Sequence, residues 1–236
     1  MCAANTSHKP KAVLFDLDGT LLDTADDLAY ALNLQLAAHH KPAVDPAVLR
    51  DKVSNGANAL LHYGFKASPS DEGFDALRAE YLDLYLDNLA VHTKPFDGIE
   101  ELIAMLDQRS IPWGIVTNKP HTYAEPLMMQ FAFASQCKTL ICPDHVKNKK
   151  PDPEALHLAC SELDTTPDQC LYIGDHERDI ECGRRAGAKT IACAYGYIEE
   201  QKDISEWQAD FIAADGRELL SIVREQISSH NTQLAS

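Results

Sequence analysis

Beyond Pro95 the chain keeps one rhythm, a short apolar run followed by a segment of helical periodicity. The runs are PWGIVTN, TLIC, CLYIGD, KTIACAYG and ADFIA. The segments between and after them include PHTYAEPLMMQF, DPEALHLACSEL, RDIECGRRAG and GRELLSIVREQI. Strands alternating with helices of about 10–15 residues build βαβ units, and βαβ units build a parallel sheet. An earlier apolar run, residues 12–15, reads as one more buried strand. Between it and Pro95 the pattern differs. TADDLAYALNLQLAAHH carries apolar residues at 25, 28, 29, 32 and 36 on one helical face, with Thr24 as the expected N-cap. DPAVLRDKVSNGANALLHYGF reads as two short helices broken at 54–56, and DEGFDALRAEYLDLYLDNLA as an amphipathic helix. The expected fold is α/β: a Rossmann-like parallel sheet with helices on both faces, plus an inserted all-helical cap domain. The sheet domain takes 10–23 and 94–230, and the cap 24–93. Residues 1–9 and 231–236 are expected to be flexible tails.

Composition narrows the class. At 236 residues, 45% hydrophobic and 24% charged, the chain has the make-up of a globular protein large enough for a main core and a smaller one. A net charge of −15 argues against a nucleic-acid partner, which needs basic surface, and weakly against an anionic membrane. No apolar run approaches the ~20 residues of a bilayer span, and the polar start MCAANTSHKP lacks a secretory h-region. The seven cysteines (2, 137, 142, 160, 170, 182 and 193) are odd in number and show no CxxC pair. They read as free thiols in a reducing cytoplasm. Nothing in the sequence fixes the oligomeric state.

In an open parallel sheet, ligands bind beyond the carboxyl ends of the strands, so the polar residues at those ends matter most. KAVLFDLDGTLLDT delivers Asp16 and Asp18. VTNKP delivers Thr117 and Asn118, and NKKPDPE places Lys150 ahead of a helix with Asp152 as its expected N-cap. GDHERD delivers Asp175, with Asp179 one turn later. Carboxylates crowded without a cation are unstable. A hard divalent ion such as Mg²⁺ resolves the crowding and also takes phosphate oxygens. Helix N-terminal amides, Thr117 and Lys150 suit the remaining phosphate oxygens.

DLDGTLLDT, VTNKP, KKPDPE and GDHERD, in this order and spacing, resemble the four signature motifs of the haloacid-dehalogenase-like superfamily, and a helical insert after the first motif resembles its C1 cap. The resemblance implies a Mg²⁺-dependent phosphatase that acts on a small phosphorylated metabolite. Asp16 would be the nucleophile that becomes an aspartyl-phosphate, and Asp18 the general acid and base. Thr117 and Asn118 would bind phosphoryl oxygens, and Lys150 would neutralise charge. Asp16, Asp175 and the backbone carbonyl of Asp18 would hold the metal, supported by Asp179. His176 stands where the family more often has Ser or Thr, and is expected at the surface. WGIVTNKP, LICPDHVKNKKPDPE and YGYI resemble the branch acting on 2-phosphoglycolate or N-acetylmuramic acid 6-phosphate, the two expected substrates. Sugar phosphomutases share the same core motifs, and receiver-type phospho-signalling modules use similar groups without a cap. Ser54, Asn55 and Gly56 are either a helix-breaking turn or, by the resemblance, a substrate loop of the cap. Arg50 is a candidate basic contact for a carboxylate.

Overall fold

A computed structural model of the chain describes residues 9–199 and 202–228; most of the two expected tails therefore lies outside the described residues. Strand β1 (Ala12–Phe15) is buried throughout, and its side chains alternate between two cores. Val13 and Phe15 pack with Leu102 and Leu219, on one face of the sheet, whereas Ala12 and Leu14 pack with Leu156 and Cys182 on the other. A strand apolar at every position is what a sheet covered on both faces requires.

The chain continues through β2 (Leu22–Asp23), four helices α1 (Ala25–Ala38), α2 (Pro46–Leu49), α3 (Gly56–Phe65) and α4 (Phe74–Asp87), and β3 (Lys94–Pro95). Then come α5 (Ile99–Gln108), β4 (Trp113–Val116), α6 (His121–Met128), β5 (Cys137–Ile141), α7 (Glu154–Glu162), β6 (Cys170–Gly174), α8 (Glu177–Ala186), β7 (Lys189–Cys193), β8 (Phe211–Ala213) and α9 (Gly216–Ser228). The main sheet runs β5-β4-β1-β6-β7-β8, with every neighbouring pair parallel. This is the expected Rossmann-like class. Val13 lies opposite Trp113 on one side and Leu171 on the other, so β1 divides the two halves of the sheet. The ends of β1, β4 and β6 open at that switch point, where a parallel sheet leaves a crevice.

The four inserted helices share a second core of Leu32, Leu36, Leu49, Leu60, Tyr81 and Tyr85. Two details depart from the sequence expectation. First, the chain enters and leaves the insert through an antiparallel ribbon that pairs Leu22 with Pro95 and Asp23 with Lys94. Two residues per strand are too few for a periodicity signal. The buried Asp27 carboxylate reinforces this junction by accepting the backbone N–H groups of His92 and Thr93 at 2.7 and 3.0 Å. Second, Thr24 occupies the N-cap position of α1 without capping it. The hydroxyl of Tyr197, 173 residues away, accepts the N–H of Thr24 at 2.6 Å and of Ala25 at 2.9 Å. It donates to Asp23 Oδ1 at 2.9 Å. Arg50 also turns to Asp23, with two contacts of 2.9 and 3.0 Å, and stacks over the Tyr197 ring. Its charge is therefore spent on the ribbon, which corrects its reading as a ligand contact.

Candidate active site

β1 ends at Phe15, and the next residue, Asp16, is buried at the mouth of the sheet. Its Oδ1 accepts the Leu17 N–H at 2.8 Å and stands 2.9 Å from Lys150 Nζ, leaving Oδ2 without a hydrogen-bond donor among the described residues. Lys150 Nζ also lies 2.7 Å from Asp179 Oδ1 and donates to the Val116 carbonyl at 2.8 Å. The lysine side chain has no exposed surface, so its charge acts in a weakly screened setting. Burial works against ionisation of Asp16, but Lys150 and Arg178 outweigh it and hold the carboxyl below its usual range. Lys150 is held charged by Asp16 and Asp179 against its own burial.

Asp175, Asp16 and Asp179 offer carboxylate oxygens that all lie within 4.8 Å of one another. Burial, followed by the charges of Asp16 and Asp179, pushes Asp175 up to about 8. Lys150 and the nearby Arg178 thus leave three carboxylates short of positive charge, and oxygen-only donors suit a hard divalent cation. Mg²⁺ fits this donor set. The Asp175 carboxylate is aimed by the Thr20 hydroxyl at 3.1 Å and the Tyr197 N–H at 2.8 Å. Gly19 packs against it with φ +84°, where a Cβ would come within 2.1 Å of Asp175 Oδ2. The motif needs glycine there for both backbone and space.

Asp18 does not bring its carboxylate into this cluster. Its Oδ1 accepts from Thr24 Oγ1 at 2.6 Å and from Lys119 Nζ at 2.8 Å. Lys119 is a site residue that the sequence reading missed. Its side chain is 7% exposed and lies 4.7 Å from the centre of the Tyr85 ring of α4. Asp18 and Tyr85 raise its pKa against the effect of burial. Thr117 is buried and lines the same cleft as Asp16, and its hydroxyl accepts the Lys119 N–H at 3.1 Å. Asn118 differs from expectation in one respect: its side-chain amide clamps the backbone of Lys150, with both contacts at 3.2 Å. Its backbone N–H is the group left for an anion. Asp152 accepts the N–H of Glu154 at 3.0 Å but sits one residue before the cap, which is Pro153.

Asp16, Asp18, Thr117 and Asn118 open into a cleft of about 410 Å³ whose other wall is the helical insert. Ser54, Asn55 and Gly56 all line it. Gly56 (φ 75°, ψ −172°) lets the chain turn from a 3₁₀ segment into α3. Three contacts among the described residues fasten this loop to the sheet domain: Arg178 donates to the Ser54 carbonyl at 2.9 Å, Asn55 donates to Glu199 at 2.9 Å, and the Ser54 hydroxyl donates to the Tyr197 carbonyl at 3.4 Å. Arg178 is the second residue missed. It sits inside GDHERD, but only the tertiary structure shows that it faces the cleft. His176 is not a free surface side chain. It caps α8 by accepting the Arg178 N–H through Nδ1 and stacks near Trp207. Burial, followed by the Arg178 charge, pushes its pKa down to about 4, so it is neutral at pH 7.

A family profile described as "Haloacid dehalogenase-like hydrolase" matches residues 13–193. Among curated proteins, an N-acetylmuramic acid 6-phosphate phosphatase of Pseudomonas aeruginosa is 47% identical over 213 residues, covering 90% of this chain and 94% of that protein. A phosphoglycolate phosphatase of Xanthomonas campestris pv. campestris is 39% identical over 203 residues, covering 86% and 91%. A solved structure from Haemophilus somnus, described as a predicted phosphoglycolate phosphatase, has a TM-score of 0.81 at 23% identity, covering 91% of this chain and 98% of that one. The last similarity speaks for the fold alone.

Proposed function

The chain belongs to the haloacid dehalogenase-like hydrolases, and from that premise we propose that it is a Mg²⁺-dependent phosphatase acting on N-acetylmuramic acid 6-phosphate through an aspartyl-phosphate on Asp16. The observation that carries this reading is the pairing of two differently placed carboxylates. Asp16 is held ionised by Lys150. Asp18, two residues on, is held apart from it by Thr24 and Lys119. One suits attack on phosphorus, the other proton transfer.

Asp16 Oδ2 forms a bond to phosphorus as the bond to the leaving oxygen breaks. Asp18 Oδ2, the oxygen not engaged by Lys119 and Thr24, gives that oxygen its proton. The same atom then takes a proton from the water that attacks the phosphoaspartate, which releases inorganic phosphate and restores Asp16. Thr117, the Asn118 N–H and Lys150 orient the phosphoryl oxygens. Mg²⁺, held by Asp16, Asp175 and the Asp18 carbonyl, would offset negative charge on the transferring group. The insert closes over the site and excludes water during transfer.

Two observations favour the amino-sugar ester. The higher identity is to the N-acetylmuramic acid 6-phosphate phosphatase, and a cleft of about 410 Å³ lies in the ~300–1,000 Å³ range of sites for ligands of that size. The similarity to phosphoglycolate phosphatases keeps 2-phosphoglycolate as the second reading. Phosphate release from the two esters decides between them. The expected result is kcat/KM at least tenfold higher for N-acetylmuramic acid 6-phosphate, with release abolished by EDTA and restored by Mg²⁺. A preference for 2-phosphoglycolate would overturn the substrate assignment.

A further inference from the structure

Resting on that substrate reading, we propose that Arg78, aimed by Asn58, binds a carboxylate on the leaving group at the end of the cleft remote from Asp16. Arg78 lies on α4 and lines the same cleft as Asp16 and Asp18. Its Nε donates to Asn58 Oδ1 at 3.1 Å, which orients the exposed guanidinium. Asn58, on α3, also lines the cleft. No carboxylate among the described residues pairs with Arg78, in a chain of net charge −15. A guanidinium that is oriented but lacks an acidic partner offers its two terminal nitrogens to an incoming anion.

Its position along the cleft follows from a chain of contacts. Lys119 Nζ is 2.8 Å from Asp18 and 4.7 Å from the Tyr85 ring centre. The Tyr85 and Tyr123 ring centres are 6.0 Å apart, and Tyr123 lies within electrostatic reach of both Lys119 and Arg78. Lys119, the two tyrosines and Arg78 thus line one cleft, a cation in contact with Asp18 and a second cation beside an aromatic pair. Such a wall matches a leaving alcohol with a ring body and a distant acid. N-acetylmuramic acid 6-phosphate has that form, with its phosphate on one side of the sugar ring and its lactyl carboxylate on the other. Arg178, the other cleft arginine, is committed to the Ser54 carbonyl and acts on Asp16, which places it at the phosphate end.

The test compares N-acetylmuramic acid 6-phosphate with N-acetylglucosamine 6-phosphate, which lacks the lactyl group. The wild type is expected to prefer the acid-bearing ester. In Arg78→Gln that preference, as a ratio of kcat/KM values, is expected to fall by roughly 10- to 100-fold, mostly through KM. Arg78→Lys is expected to recover part of it, since lysine keeps the charge but not the fork. A ratio that Arg78→Gln moves by less than about twofold, with the wild type active on N-acetylmuramic acid 6-phosphate, would overturn the Arg78 assignment and leave the substrate standing. A wild type inactive on both amino sugars but active on 2-phosphoglycolate would overturn both.

Discussion

Asp16→Asn is expected to lower phosphate release by roughly 10⁴- to 10⁶-fold, the loss that follows removal of a covalent nucleophile. The substitution keeps the shape of the side chain and the oxygen that accepts the Leu17 N–H at 2.8 Å. It removes the charge that Lys150 stabilises at 2.9 Å. Folding should survive, because the amide relieves repulsion with Asp175 and Asp179 while Asp179 still pairs with Lys150. A pre-steady-state and steady-state phosphate assay with saturating Mg²⁺ reads the effect. Activity within about tenfold of wild type would mean that another group attacks phosphorus.

Lys150→Met is expected to produce the largest loss of stability. Met approximates the length of the lysine stem, so packing against Tyr172 is largely kept, but the one cation that forms ion pairs with Asp16 and Asp179 among the described residues disappears. Removing one partner of a buried ion pair costs about 3–5 kcal/mol, because the charge left behind is uncompensated. Against a total stability of about 5–15 kcal/mol that is a large fraction. Urea denaturation without metal measures it, and a loss below about 1 kcal/mol would contradict the charge account. The variant should also be stabilised more by added Mg²⁺ than the wild type is, since a cation binding the native cluster then replaces missing charge as well as filling its own site. Phosphate release is expected to drop about 10²- to 10³-fold, in line with the loss of one electrostatic contact to a developing oxyanion.

The parallel sheet was legible because its signal is local. An apolar run such as residues 12–15, ending in Asp16 and followed by helical periodicity, states its element and its direction at once. The residues at strand ends followed from topology, since parallel strands point their carboxyl ends the same way. What the sequence hid depends on partners far along the chain. Lys119 lies inside VTNKP, yet its direction is set by Asp18, 101 residues away, and by the Tyr85 ring. Tyr197 replaces the expected cap of α1 from 173 residues away, which frees the Thr24 hydroxyl for Asp18. Arg50 had no visible partner until the ribbon brought Asp23 to it. The motif assigns Asn118 to phosphoryl oxygens without saying which atom, and the Lys150 backbone, by occupying its side-chain amide, leaves the backbone N–H for that role. Motif spacing gives the residue types that meet, whereas tertiary contacts decide which atom of each faces the ligand.

The covalent step can be read directly. In Asp18→Asn given p-nitrophenyl phosphate, whose leaving group departs without a proton, transfer to Asp16 is kept while the water-attack step loses its base, so phosphoenzyme should accumulate during turnover. Acid quenching followed by borohydride reduction converts an aspartyl-phosphate into homoserine, which peptide mass spectrometry locates. The account predicts homoserine at position 16 and nowhere else, dependent on both substrate and Mg²⁺. Homoserine at another carboxylate, or none at all while Asp18→Asn still releases phosphate, would contradict it.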